Sequence, residues 1–171
     1  MANRHLLRST SMQLLYEIEA ANLWEKENVW ERLNVSLDRF ASEIEDTSYV
    51  KEVVSGVMAH KNHIDQKISE FAETWTVETI APVERNILRV AIFEIVVYQD
   101  DDIPYKVSIN EAIELGKRFS GPPAGKFING VLGGLIKSLD EESLSQDVEI
   151  KKESIEENLE SPEELDNTPE V

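Results

Sequence analysis

Apolar residues recur at three- and four-residue steps through the first 139 residues, and no stretch alternates at period two for a useful length. That pattern predicts an all-α bundle in which each helix turns one stripe inward. Residues about 4–22 place Leu7, Leu14, Leu15 and Ile18 on one side, and residues about 25–45 carry Val29, Trp30, Leu33, Leu37, Phe40 and Ile44. Asp46-Thr47-Ser48 offers cap residues for a third helix bearing Val50, Val53, Val54, Val57 and Met58. The pattern weakens at residues 60–62 and resumes with Ile64, Ile68, Phe71 and Trp75, which predicts a break and a fourth helix. Pro82 suits the first position of a fifth. Its apolar residues Ile87, Leu88, Ala91, Ile92, Ile95 and Val96 cover nearly all sides, so this helix belongs at the centre.

The segment from Pro104 to Leu132 predicts two more helices, about seven in all. Pro104 forces the residues before it into extended geometry. Ser108 followed by Glu111 has the spacing of a capping box. Gly121-Pro122-Pro123-Ala124-Gly125 ends the sixth helix with a residue free to take positive φ and two that cannot continue it. Lys126, Phe127, Asn129 and Gly130 then open the seventh. A cation, an aromatic face, an amide and free backbone donors at a positive helix end make a seat for an anionic, stackable ligand. At the other end of the chain Arg4 and Arg8 share a helical face beside His5, a spacing suited to phosphate contact. Gly130, Gly133 and Gly134 cost helix propensity, which close helix packing or close approach by a partner explains.

Catalytic readings find no support. The chain has no cysteine, which excludes disulfides, thiolate nucleophiles and thiolate metal sites. No phosphate-loop, dinucleotide-binding or nucleophile-elbow pattern occurs. His60 and His63 with Asp65 lack further ligands for zinc, and Asp100-Asp101-Asp102 lacks the glycine and distal glutamate of a calcium loop. No catalytic residue, metal ligand or cofactor is therefore expected. Neither a signal-peptide run nor a membrane-spanning segment is present, so the expectation is a cytoplasmic protein without membrane contact. The net charge of −17 is uneven: residues 140–171 hold 13 acidic and two basic side chains, and the remainder is only −6. Residues 1–139 are expected to form one helical domain, and 140–171 a disordered, solubilising acidic tail.

Four stretches resemble the NusB family of bacterial transcription antitermination factors, over roughly residues 4–137. They are residues 13–16 (Gln-Leu-Leu-Tyr), residues 83–94 (Val-Glu-Arg-Asn-Ile-Leu-Arg-Val-Ala-Ile-Phe-Glu), and residues 103–115 with 126–132. The resemblance implies two packed helical subbundles and a non-enzymatic role. A NusB protein pairs with the ribosomal protein NusE, binds single-stranded boxA RNA and joins the RNA polymerase antitermination complex on ribosomal RNA operons. Some family members are homodimers. By resemblance the RNA-contacting residues are Arg4, Arg8, Lys126, Phe127, Asn129 and Gly130, and the NusE-facing ones are Tyr16 and Glu84. The family's N-terminal arginine cluster is reduced here to Arg4-His5-Leu6-Leu7-Arg8. Fewer phosphate contacts imply weaker and less salt-dependent RNA binding by the isolated chain. A protein-interaction adaptor with little RNA binding of its own is the second expectation.

Overall fold

Asn3 opens the first helix by accepting from the amides of His5 and Leu6 at 3.1 and 3.3 Å, which satisfies two donors that have no partner inside the helix. The computed structural model describes residues 3–159, with side chains described through residue 143. These residues contain seven α-helices and no strand: α1 Arg4–Ala20, α2 Val29–Phe40, α3 Ser48–Ala59, α4 Lys61–Phe71, α5 Pro82–Ile92, α6 Tyr105–Ser120 and α7 Pro122–Leu159. A short 3₁₀ turn, Val77–Thr79, precedes α5, and a π-helical turn, Phe93–Tyr98, extends it. The all-α expectation holds. No described helix is long and apolar enough to cross a membrane.

The chain divides into two compact units, Met1–Leu135 and Ile136–Val171. In the first, α5 packs on α1, α4 and α6, while α1 packs on α2 and α3. The central position follows from composition, since Ile87, Leu88, Val90, Ala91 and Ile92 are all buried. Leu14, Leu15 and Ile18 of α1 and Val50, Val53, Val54 and Val57 of α3 complete this core with no exposed surface. The break between α3 and α4 falls at His60, and Pro82 occupies the first turn of α5, as the sequence predicts. Gly121 ends α6 at φ 93°, a conformation that other residues rarely adopt.

Two local expectations fail. The second helix is shorter than its stripe, because residues 24–28 form turns and Phe40 at its end is 37% exposed. Ser108 is not a cap: α6 begins earlier, with Pro104 as its N-cap, and Ser108 is buried within the helix. Its hydroxyl donates instead to Glu94 Oε2 at 2.5 Å, while Glu111 lies 2.6 Å from His5 Nδ1. The demand of a buried carboxylate thus outweighs a local cap. The backbone of α7 runs on to Leu159, past the last residue of the expected helical domain. Glutamate, leucine and lysine are good helix formers, and a helix already nucleated at Pro122 propagates cheaply. Residues 160–171 lie outside the described residues.

Candidate nucleic-acid interface

The two arginines of α1 occupy different environments. Arg4 keeps 42% of its side chain exposed, with Nη1 3.6 Å from Asp100 Oδ2 and the guanidinium 5.5 Å over the Tyr49 ring. Burial, and the hydrogen bond and charge of Glu52, push the nearby Tyr98 phenol above its ordinary pKa. Arg8 is only 4% exposed, and its Nε donates to Glu94 Oε1 at 2.8 Å. Of the pair expected on the surface, Arg4 alone is exposed, and Arg8 is corrected to a buried partner of Glu94. Four helical positions bring two side chains to one face, but Arg4 sits at the exposed end of α1, while Arg8, one turn further in, meets Glu94 of the π-helical turn.

Glu94 sits in the π-helical turn and holds that buried cluster together. It accepts from Arg8, from the Tyr49 hydroxyl and from Ser108, and is itself 5% exposed. Widening a helix by one residue per turn re-aims a side chain. Here the turn swings Glu94 between α1, α3 and α6. The visible signal was a lone carboxylate inside the most apolar run of the chain.

At the start of α7 the side chains survive as a candidate site and the backbone donors do not. Pro122 and Pro123 have no N–H, and the Ala124 amide is bonded to Gly121 O at 3.1 Å, so the helix end offers few free amides. Lys126, Phe127, Asn129 and Gly130 lie beyond the first turn. Lys126, Asn129 and Gly130 are exposed, and Phe127 is half-buried. Lys126, Phe127 and Gly130 line one cleft of about 210 Å³ with Trp75, whose ring centroid lies 6.4 Å from that of Phe127. Trp75 was expected on the apolar stripe of α4, yet it is 51% exposed. Arg4 and Arg8 do not line this cleft.

The glycines of α7 separate into two kinds. A Cβ on Gly134 would meet Phe71 Cδ1 at 3.0 Å, so close helix packing explains it. One on Gly130 or Gly133 would meet nothing within 4 Å. Gly130→Ala is therefore expected to raise stability by about 0.5–1 kcal/mol, the helix-propensity difference, as an upward shift of the urea midpoint.

The residues expected to face a protein partner lie on neighbouring helices. Tyr16 of α1 is 44% exposed. Glu84 of α5 is half-buried and lines an apolar cleft of about 510 Å³ with Trp75, Ile80, Ala81 and Phe127. Glu84 Oε2 is buried without a hydrogen-bond partner among the described residues. Glu19, one turn after Tyr16, pairs with Arg85 and Arg89, and so clamps α1 against α5. Burial and the charge of Arg89 lower the pKa of Arg85, whose Nη1 also donates to Val77 O and Ile80 O at 2.7 and 2.9 Å.

Comparison with known proteins gives these surfaces a context. The NusB family model matches residues 5–137. A transcription antitermination protein NusB from Oceanobacillus iheyensis is 46% identical over 134 residues, which cover 78% of this chain and 98% of that protein. Among solved structures, the antitermination factors NusB and NusE in complex with double-stranded RNA give a TM-score of 0.67 at 25% identity, covering 81% of this chain and 98% of that one. NusB from Aquifex aeolicus gives 0.68 at 26% identity, covering 84% and 93%.

Proposed function

The chain belongs to the NusB family, and on that premise we propose that it acts as a transcription antitermination factor. In this reading it pairs with NusE and binds single-stranded boxA RNA, supporting read-through and maturation of ribosomal RNA transcripts as part of the RNA polymerase complex in the cytoplasm. Residues 1–139 do the binding, and the acidic residues 140–171 keep the protein soluble. The observation that carries the RNA half is the cleft in which exposed Lys126 stands beside Phe127 and open Gly130. A cation for phosphate and a ring for a base are what unpaired RNA requires. Arg4 supplies a further phosphate contact, and Asn129 an exposed amide on the same helix as the cleft. Tyr16 and Glu84, on helices clamped together by Glu19, form the NusE side. No step in this role calls for a catalytic group.

The burial of Arg8 favours one second reading: an adaptor that keeps the NusE surface and binds RNA only weakly by itself. One titration separates the two. Labelled boxA-like RNA is followed by fluorescence anisotropy with the protein alone, with NusE, and across a salt series. Synergistic binding is expected. Arg4→Glu should weaken it and flatten the salt slope by about 0.7, the share of one phosphate contact on a single strand. A tight protein pair that adds nothing to RNA binding would establish the adaptor instead.

A further inference from the structure

We propose that Trp75 is a second stacking surface of this interface, and that it and Phe127 together take one unstacked nucleobase of a single-stranded RNA while Lys126 holds the adjoining phosphate. The proposal rests on the RNA-binding reading above and adds a residue that reading does not contain. Its first support is exposure. Ile64 and Ile68, on the same stripe, are fully buried, whereas Trp75 leaves half its surface in water. A tryptophan carries more apolar area than almost any other side chain, so leaving it out forgoes substantial burial. The backbone is arranged to do this: Glu73, just past the end of α4, takes φ 55°, a left-handed conformation unfavourable for a side chain of its kind. The turn carries Trp75 off the core face of α4 and sets it against α7.

The second support is the company Trp75 keeps. Its ring meets Phe127 at an interplanar angle of 71°, so the two present a corner of aromatic faces rather than a closed stack. Both rings line the cleft that contains Lys126 and Gly130. Gly130 has open space where a side chain would stand, so packing within the chain does not account for it. A flat ring entering the cleft does. One carboxylate, Glu73, also lines it, which leaves the phosphate to the Lys126 side. A larger cleft that the same two rings also line is apolar and carries Glu84, features suited to a protein surface. The charge and the ring pair together favour a nucleotide on the Lys126 side.

The test uses the full chain with its protein partner and a fluorescein-labelled single-stranded RNA. Trp75→Leu is expected to weaken RNA binding about tenfold or more, the scale of one lost base–aromatic stack, and Trp75→Phe to retain most of it. Affinity for the protein partner should fall less than RNA affinity, because Trp75 also borders the cleft that carries Glu84. Gly130→Gln, which fills the cleft from α7, should weaken RNA binding without lowering the unfolding midpoint. Unchanged RNA affinity in Trp75→Leu, with Arg4→Glu still weakening it, would overturn the proposal and leave the RNA-binding reading intact. Loss of partner affinity with RNA affinity retained would assign Trp75 to the protein interface and overturn it equally. Absence of RNA binding by the unaltered pair would remove both.

Discussion

Glu94→Ala is expected to destabilise the protein by about 3–5 kcal/mol, enough to unfold a domain of ordinary stability. The carboxylate is 5% exposed and accepts from three donors: Arg8 Nε at 2.8 Å, Ser108 Oγ at 2.5 Å and the Tyr49 hydroxyl. Removing it leaves a guanidinium that is itself 4% exposed, whose Nη2 has no acceptor among the described residues and whose remaining carboxylate, Glu111, stands 4.0 Å from Nη1. A buried charge without its partner costs more than the pair contributed. The measurement is urea unfolding followed by far-ultraviolet circular dichroism. A loss under about 1 kcal/mol, the value of an exposed pair, would show that water reaches the cluster. The same geometry governs how function should be probed. Charge reversal at Arg8 places two carboxylates in one buried site, so its effect on RNA binding would report unfolding. Arg4, half-exposed on the same helix, is the better position for charge reversal, because what it gives up is an exposed pair with Asp100 and a ring contact with Tyr49.

The fold was legible because a helical bundle writes its core as a period. The stripes of α1, α3 and α5 give the buried residues directly, and the proline and glycine at Pro82 and Gly121 mark the ends where the chain turns. Polar residues were harder to place, because their roles depend on neighbours distant in sequence. Ser108 reads as a cap when only Glu111 is considered, and becomes a donor to Glu94 once α6 packs on the π-helical turn. Arg8 reads as a surface cation until α5 arrives beside it. Trp75 shows the converse failure. Its spacing from Ile64 and Ile68 continues the stripe, but the helix has ended and the left-handed turn at Glu73 breaks the phase. Within the candidate site, Lys126, Phe127 and Gly130 were found from sequence because they are neighbours on one helix. Trp75 was missed as a site residue because only folding brings it there.

Arg89→Ala is expected to cost about 3 kcal/mol, near the lower edge for a broken buried pair, because its partners retain some contact with water. Arg89 is 2% exposed and reaches two other helices from its place in α5. Its Nε and Nη2 grip Asp65 of α4 at 2.8 and 3.0 Å, the parallel two-bond geometry that a guanidinium makes and an ammonium cannot. Nη1 donates to Glu19 of α1 and, at 2.9 Å, to Asn86 Oδ1, while the Trp24 ring lies 5.0 Å from the guanidinium carbon. Arg89→Lys keeps the charge but gives up the fork, and should recover less than half of the loss. The functional consequence follows from what the clamp holds. Glu19 also pairs with Arg85, the neighbour of Glu84, and lies one turn from Tyr16. Loosening it should blur the spacing of Tyr16 and Glu84, and weaken partner binding more than RNA contact at Lys126 and Phe127. Isothermal titration with the partner, at a temperature where the variant remains folded, checks this. Equal losses of partner and RNA binding would mean that Arg89 acts through global stability alone.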